Sequence, residues 1–215
     1  MIYFFALLGY LIGSIPFGLV LTKLAGYGDI RKIGSGNIGA TNVLRTGNKK
    51  LAALTLLLDG GKGAVAVLLA QFAMTYDAGL MAAAGALFGH LFPVWLKFKG
   101  GKGVATTLGI LLAVAPGLGA LCCLIWLAVA VVFRYSSLAA LVSIGLSPLL
   151  AYLFFVTPSS YTEADGSQVW LVNHHAEYLP ALCGFFAMMV WFRHRANIKR
   201  LVRGEEPKIG KKKEQ

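Results

Sequence analysis

Three glycine-rich clusters combine small residues with polar or basic side chains in a chain that is otherwise strongly apolar. They occupy residues 34–42, 59–63 and 97–103. Glycine allows backbone N–H groups to approach an anion closely, and nearby lysine and arginine side chains supply positive charge. Because the clusters adjoin long apolar runs, they predict a site for phosphorylated substrates at one face of a membrane.

The first cluster places hydroxyl and amide side chains between glycines. Its polar residues are Ser35, Asn37, Thr41 and Asn42, and Arg45 follows them. A short helix beginning within residues 37–41 would direct its free N–H groups towards an anion, and Arg45 would bind a phosphate through two hydrogen bonds. The alternative is a tight turn in which the serine and asparagines only cap a helix. The number of polar groups beside Arg45 favours a binding site.

The third cluster surrounds Lys102 with Gly100, Gly101 and Gly103, immediately before an apolar segment that begins at Val104. It is not a Walker A motif, because the upstream glycine spacing differs and Gly103 stands where that motif has a magnesium-binding hydroxyl. The pattern still predicts backbone donors and one cation at the membrane face. The alternative is that the lysines of this segment only mark the cytoplasmic side.

Ionisable residues also occur within the apolar runs. Asp59 and Lys62 are three residues apart, so on a helix they would form an ion pair that offsets the cost of charge at membrane depth. Lining a polar cavity is the favoured role of this pair, and structural pairing alone is the alternative. His90 is a lone histidine in the next run, where a satisfied polar group is a more ordinary role than catalysis.

Polar residues follow two later apolar runs. Arg193, His194 and Asn197 end the last run, where positive side chains suit the C-terminus of a helix. His194 is the titratable group best placed near the cytoplasmic clusters, and Ser137 would donate a hydrogen bond or begin a helix. The sequence contains no legible Ser/His/Asp set and no paired histidines and carboxylates. It therefore predicts no metal site, and it argues against a covalent intermediate on the protein if the protein is a transferase.

The composition is that of a membrane protein. Of 215 residues, 57% are hydrophobic and only 13% are charged, and the mean hydropathy is +0.70. A soluble domain has about 25% charged residues, and a spanning helix needs about 20 largely apolar ones. These values predict an all-α integral membrane protein.

The net charge of +11 is confined to alternate connections. All 20 lysines and arginines fall within residues 23–50, 62, 97–102, 134 and 193–213. The positive-inside rule then predicts seven transmembrane helices, with the N-terminus outside and the C-terminus cytoplasmic. The same charge would attract anionic membrane lipids. Nucleic-acid binding is excluded, because the chain has no aromatic–basic platform and no helix-turn-helix pattern.

The predicted helices form a single polytopic domain, residues 1–203, followed by a solvated basic cytoplasmic tail, residues 204–215. We expect a retained first helix, and an outside loop at residues 157–177, which contain acids but no lysine or arginine. Residues 104–133 are too long for one span and would break at Pro116, giving two short helices or a re-entrant pair. The other predicted helices are residues 2–24, 50–73, 79–97, 138–156 and 178–194.

Four blocks carry a resemblance to a known family, and they are residues 34–45, 59–63, 89–106 and 193–198. On them, the sequence resembles the bacterial acyl-phosphate-dependent glycerol-3-phosphate acyltransferases over almost its whole length. The resemblance implies a seven-helix enzyme of the bacterial inner membrane that performs the first acylation step of phospholipid biosynthesis at the cytoplasmic face. It would transfer an acyl group from acyl phosphate to the 1-hydroxyl of sn-glycerol 3-phosphate, releasing lysophosphatidic acid and phosphate. It would need no cofactor, and would contact the enzyme that produces acyl phosphate.

The resemblance also suggests roles for the polar residues. Ser35, Gly36, Asn37, Thr41 and Asn42 would bind the acyl-phosphate head group and the developing oxyanion. Arg45 and Lys102 would bind the phosphate of glycerol 3-phosphate, helped by Ser137, His194 and Asn197. Gly100, Gly101 and Gly103 would contact substrate, and Asp59, Lys62, His90 and Arg193 would support the site. The base would be His194 or, as the absence of a catalytic dyad favours, a phosphate oxygen of the substrate.

Two other functions compete with acyl transfer. Positive helix ends and glycine-broken spans also suit a transporter of a phosphate ester. The helices between residues 79 and 156 are almost wholly apolar, which argues against a polar path through the membrane. A structural or lipid-binding protein would not explain why Arg45 and Lys102 both lie beside glycines.

Overall fold

The computed structural model describes residues 1–156, 159–163, 165, 167–171 and 177–210. Within them lie ten α-helices: α1 (Ile2–Gly13), α2 (Phe17–Leu24), α3 (Ala40–Val43), α4 (Lys49–Ala73), α5 (Tyr76–Leu91), α6 (Val104–Val114), α7 (Pro116–Phe133), α8 (Ser136–Ala151), α9 (Tyr178–Arg193) and α10 (Arg195–Val202). A short antiparallel hairpin, β1 (Ser159–Thr162) and β2 (Gln168–Leu171), follows α8.

Five segments are long and apolar enough to cross a membrane. They are Ile2–Leu24, Lys49–Ala73, Tyr76–Leu96, Pro116–Phe133 and Ser136–Val156, and α6 and α9 are shorter apolar helices. The prediction of a multi-pass, α-helical membrane protein is therefore confirmed. The number of seven crossings and the orientation of the termini stay predictions.

The first apolar run is interrupted, although the sequence predicted one helix over residues 2–24. The helix stops at Gly13 and resumes at Phe17 as α2. Pro16 lacks an N–H and disfavours helical geometry in the residue before it, so the interruption falls at Ile15. The Ile15 carbonyl is consequently available to accept a hydrogen bond from another helix.

Other helix ends also follow from proline. Helix α5 ends at Leu91, not at residue 97 as predicted, because Pro93 disfavours helix at Phe92. The break predicted within residues 104–133 is confirmed, and α7 begins at Pro116, where a missing N–H costs nothing. The predicted span at 138–156 is α8 followed by a π-helical turn over Tyr152–Val156.

The remaining predictions concern two further helices, the outside loop and the tail. The predicted helices at 50–73 and 178–194 correspond to α4 and α9. Helix α10 and the β1–β2 hairpin were not predicted, because each is too short to give a clear periodicity. Parts of the predicted outside loop (157, 158, 164, 166 and 172–176) and of the tail (211–215) lie outside the described residues.

Glycines allow the helices that carry the site to pack at backbone distance. A Cβ at Gly9 of α1 would lie 2.2 Å from the Ala82 carbonyl oxygen of α5, and one at Gly109 of α6 would lie 2.1 Å from the Gly60 carbonyl oxygen of α4. Such close approach is the usual source of helix association in membranes. It fixes the glycine-rich segment between α5 and α6 beside α4.

Candidate functional site

A cavity of about 370 Å³ brings together the first cluster, the third cluster and the end of α9. Its lining residues are Arg31, Ser35, Gly36, Asn37, Lys99, Gly100, Lys102 and Arg193. Four of these eight residues are cations. Arg31 was missed by the sequence reasoning, because nothing distinguished it from a marker of topology.

Asn42 organises the first cluster from within. It is buried, its Nδ2 donates to the carbonyls of Ile30, Ile33 and Asn37 at 2.8–3.1 Å, and its Oδ1 accepts from the Ser35 amide at 3.0 Å. Every polar atom of the Asn42 side chain is therefore used inside the loop. These contacts make Asn42 a residue that positions Ser35 and Asn37, and a contact between Asn42 and substrate stays a prediction.

Two other residues of this region lie beside the cavity and not in its lining. Thr41 Oγ1 is 3.1 Å from Ser136 Oγ, which connects the short helix α3 to the start of α8. The Arg45 side chain lies against Gly34, where a Cβ would be 2.6 Å from Arg45 Cδ. Because Gly34 also has a φ of +59°, only glycine allows Arg45 to lie there.

The amides of the third cluster are used to hold the loop. The Gly100 N–H donates to the Leu91 carbonyl at 3.1 Å, and the Gly101 N–H donates to the His90 carbonyl at 3.0 Å. The prediction that these two glycines offer N–H donors to an anion is therefore wrong. In the first cluster, the Gly36 N–H is likewise used by a carbonyl of its own loop. Recognition of an anion must depend mainly on side-chain charge.

Arg193 fixes the other side of the same loop. Its Nη2 donates to the Gly100 carbonyl at 2.8 Å and its Nε donates to the Gly101 carbonyl at 3.0 Å. The loop is thus held through its amides by α5 and through its carbonyls by α9. Gly103, with a φ of +83°, then turns the chain into α6 and leaves Lys102 facing the cavity.

Replacing Gly101 with alanine is expected to lower the thermal unfolding temperature by several degrees. The new Cβ would lie 2.1 Å from His90 Nε2, and overpacking of this kind costs about 1–3 kcal/mol. The measurement is thermal unfolding in detergent micelles. Gly61→Ala is the control, because a Cβ at Gly61 of α4 meets nothing within 4 Å. Equal unfolding temperatures for the two variants would contradict the expectation.

Lys102 connects the glycine loop to helix α10. Its Nζ donates to Asn197 Oδ1 at 2.6 Å. The Lys102 pKa is lowered to about 8, mainly by burial and in addition by the surrounding arginines. The Glu206 carboxylate opposes this decrease. A phosphate beside Lys102 would restore the preference for the charged form.

Glu206 completes a polar cluster that the sequence reasoning missed. Its Oε1 accepts from Ser137 Oγ at 2.7 Å and from Asn197 Nδ2 at 2.6 Å, and its Oε2 accepts from Arg200 Nε at 2.7 Å. Burial opposes ionisation, but these hydrogen bonds outweigh it and lower the Glu206 pKa below its usual value. The described part of the predicted basic tail is therefore not simply solvated. An acidic pair within a basic stretch was the available signal.

His194 is buried beneath this cluster. Its Nδ1 lies 2.8 Å from the Val190 carbonyl oxygen, and burial together with the nearby Lys102 charge lowers its pKa to about 4. The imidazole is consequently neutral at pH 7. Because a carbonyl only accepts, Nδ1 carries the proton and Nε2 is the free lone pair.

The second cluster lies under the glycine loop and outside the cavity lining. Lys62 Nζ donates to Asp59 Oδ1 at 2.7 Å and to the Ile15 carbonyl at 2.6 Å, with both side chains of the ion pair buried. His90 Nδ1 is 3.8 Å from Asp59 Oδ1. The predicted ion pair is confirmed. The favoured role of these residues, lining a polar cavity, is not seen at this cavity, whose lining contains neither of them.

The chain is similar to known proteins in both fold and sequence. A crystal structure of PlsY (YgiH), "an integral membrane glycerol 3-phosphate acyltransferase", in its glycerol 3-phosphate form is 34% identical, with a TM-score of 0.83 over 97% of this chain and 96% of that chain. The lysophosphatidic acid form of PlsY is 33% identical and has a TM-score of 0.81.

Curated relatives are more similar in sequence. The glycerol-3-phosphate acyltransferases of Rhodospirillum rubrum and Paramagnetospirillum magneticum are both 55% identical, covering 97% and 95% of this chain and 91% and 92% of theirs. The sequence model of the family described as "Glycerol-3-phosphate acyltransferase" matches residues 3–204. The chain belongs to the glycerol-3-phosphate acyltransferase family.

Proposed function

We propose that this protein transfers an acyl group from acyl phosphate to the 1-hydroxyl of sn-glycerol 3-phosphate. The observation that carries the proposal is the cavity of about 370 Å³, which is lined by four cations, of which Arg31 is paired with Asp29. Cations in this number can balance the negative charge of two phosphorylated substrates. A pocket for an uncharged polar ligand would not need them. The related structures of PlsY in glycerol 3-phosphate and lysophosphatidic acid forms support the acceptor and the product.

The two substrates would use different sides of the site. Ser35 and Asn37 line the cavity and would bind the acyl-phosphate head group, with Arg31 and Lys99 nearby. Lys102 would bind the phosphate of glycerol 3-phosphate, with Ser137, Asn197 and Arg45 around it. The Lys102–Asn197 hydrogen bond of 2.6 Å supports this grouping.

The reaction needs positioning and proton transfer more than activation. Acyl phosphate is a mixed anhydride, so the glycerol hydroxyl oxygen attacks the carbonyl carbon, the bond from that carbon to the phosphate oxygen breaks, and the hydroxyl proton passes to phosphate. Cations beside the developing negative charge lower the barrier, and binding both substrates in one cavity removes the entropic cost of their encounter.

A substrate phosphate is a better base than His194. A histidine with a pKa of about 4 holds a transferred proton poorly at neutral pH, whereas a phosphate monoester has a second pKa of about 6. The low basicity of His194 therefore supports the substrate-assisted route. His194 instead packs against Val190 and maintains the end of α9.

Replacing His194 with glutamine is expected to reduce kcat by less than about tenfold, since glutamine can still donate to the Val190 carbonyl. Loss of an obligatory general base typically costs about 10²–10⁴-fold. The measurement is steady-state turnover, with His194→Ala as the variant that removes the hydrogen bond as well. A loss of about a thousandfold in the glutamine variant, with an unchanged unfolding temperature, would make His194 the base.

The deciding experiment compares acyl donors. Purified protein in lipid is incubated with radiolabelled glycerol 3-phosphate and either palmitoyl phosphate or palmitoyl-CoA. Labelled lysophosphatidic acid from acyl phosphate alone is the expected result, and product only from the thioester would refute the donor. If neither donor gives product, counterflow of labelled glycerol 3-phosphate across proteoliposomes would test transport.

The site would face the cytoplasm of a bacterial inner-membrane protein with seven crossings. The confinement of lysine and arginine to alternate connections supports this orientation. Helix α6 has 11 residues, about 16 Å of length, against a hydrocarbon core of about 30 Å. The buried glycine loop before it must then lie within the membrane thickness, where surrounding protein shields its backbone.

A further inference from the structure

The segment after α10 folds back over the site. Beyond Val202, the chain turns so that the Ile209 N–H donates to the Arg134 carbonyl at 2.7 Å and an Arg134 guanidinium N–H donates to the Ile209 carbonyl at 3.0 Å. This pairing attaches residues 204–210 to the connection between α7 and α8. Glu206 is thereby carried onto the start of α8 and onto α10.

The Glu206 carboxylate lies in a well-formed anion site. Its side chain is 7% exposed, and it accepts hydrogen bonds from a hydroxyl (Ser137), an amide (Asn197) and a guanidinium (Arg200). The Asn197 side chain continues the network, because its Oδ1 accepts from Lys102. Hydroxyls, amides and arginines that converge in this way bind carboxylate and phosphate alike, since both present several acceptor oxygens with negative charge.

We propose that the Glu206 carboxylate is an internal competitor for the phosphate group of glycerol 3-phosphate. The Ser137 hydroxyl has a single O–H donor and uses it on Glu206, and Asn197 uses one of its two N–H donors there. Glu206 and a substrate phosphate therefore cannot both bind Ser137 at once. Residues 204–210 must move aside for the substrate to bind fully. The inference rests on the proposed function, which assigns Ser137, Asn197 and Lys102 to that phosphate.

The contacts of Glu206 determine the kinetic effect that competition would have. While the Glu206 carboxylate occupies the site, only the remaining fraction of protein molecules can bind glycerol 3-phosphate. The KM for glycerol 3-phosphate is then raised by the inverse of that fraction. Competition would leave kcat nearly unchanged, because the reacting atoms meet only after Glu206 has left.

The test uses the full-length protein with Glu206→Gln, which removes the charge, and Glu206→Ala, which also removes the hydrogen-bond acceptors. Competition predicts that the KM for glycerol 3-phosphate falls at least about threefold in both variants, a factor equal to the inverse of the fraction of open sites in the wild type. The kcat of both variants should stay within about twofold of the wild-type value. Glu205→Gln is the matched control, because Glu205 is the exposed neighbour and loses the same unit of charge. Its KM is expected to equal that of the wild type.

The direction of the KM change separates competition from a supporting role. If Glu206 only held Asn197 in place for Lys102, its loss would raise KM, and that result would overturn the proposal. An unchanged KM in both Glu206 variants would overturn it equally. Thermal unfolding in detergent confirms that each variant remains folded.

A second readout is independent of turnover. Inorganic phosphate that binds the folded protein raises the unfolding temperature according to its concentration and Kd. We expect a larger rise at the same phosphate concentration for Glu206→Gln than for the wild type or Glu205→Gln, and equal rises would overturn the proposal. If the wild type makes no lysophosphatidic acid, the proposed function fails while this phosphate measurement still tests the competition.

Discussion

Replacing Lys102 with alanine is expected to lower kcat/KM for glycerol 3-phosphate about a hundredfold while the protein remains folded. Lys102 faces the cavity and is the cation that donates to Asn197. A hydrogen bond to a charged group contributes about 1.5–3 kcal/mol, and about 1.4 kcal/mol corresponds to a tenfold change in rate. Initial rates over a range of glycerol 3-phosphate concentrations measure the effect.

The control for Lys102 lies in the same segment. Lys97 is exposed, lies outside the cavity lining and has a φ of +51°, so Lys97→Asn removes a lysine charge with a residue that tolerates this backbone conformation. We expect wild-type rates for Lys97→Asn. A decrease of less than about threefold in Lys102→Ala, well under 1 kcal/mol, would remove Lys102 from the proposed phosphate site.

The pH dependence gives Lys102 a second signature. Because its pKa in the free protein is lowered to about 8, the charged form that binds phosphate is lost as the pH rises through that value. We therefore expect kcat/KM to fall above about pH 8, since this parameter reports ionisations of the free enzyme. In Lys102→Arg, any remaining activity should lack this decrease, because arginine stays protonated.

The sequence predicted helices best where charges mark their ends. The bounds of α4 and α9 differ from those of the predicted spans by no more than a residue or two. Lys49 marks the start of one apolar run and Arg193 marks the end of the other. The interruption at Ile15 was missed, because apolar residues continue on both sides of it and hydropathy does not report backbone continuity. Pro16 was the visible sign, and its effect depends on which group donates a hydrogen bond to the freed carbonyl of Ile15.

The residue types of the site were predictable, but their partners were not. A row of glycines, serines and asparagines indicates a shaped loop, and the cavity does contain Ser35, Asn37 and Lys102. Whether a loop amide faces a ligand or its own chain is decided by three-dimensional closure, as the Gly100 and Gly101 N–H groups show. Buried backbone donors must be paired first, and only the remaining groups are available for substrate.

The contact between Glu206 and Ser137 joins residues 69 positions apart in the sequence. No local sequence pattern predicts such a contact, because most of α8 and all of α9 and α10 lie between the two residues. The charge count of the tail was dominated by its lysines and arginines, and a single buried carboxylate changes that count little. Long-range polar contacts of this kind become visible only when the helix ends are brought together.

Replacing Asp59 with asparagine is expected to lower the free energy of unfolding by about 3–5 kcal/mol. Removing one partner of a buried ion pair leaves the other charge uncompensated, and the side chains of Asp59 and Lys62 are only 3% and 2% exposed. Asparagine keeps nearly the same volume, so the loss reports charge and not a cavity. The measurement is unfolding by SDS in mixed micelles.

The double variant Asp59→Leu with Lys62→Met separates the pair from its surroundings. Replacing both charges with apolar side chains of similar size removes the uncompensated charge, so most of the lost stability should return. A deficit of about 1 kcal/mol should persist, because the Ile15 carbonyl at the interruption between α1 and α2 then loses the Lys62 donor and keeps only the Phe17 N–H at 3.2 Å. If Asp59→Asn alone unfolds like the wild type, the pair does not stabilise α4. The residual deficit in unfolding free energy therefore measures the contribution of the hydrogen bond from Lys62 to the Ile15 carbonyl. This contribution is separate from the neutralisation of Asp59 by Lys62.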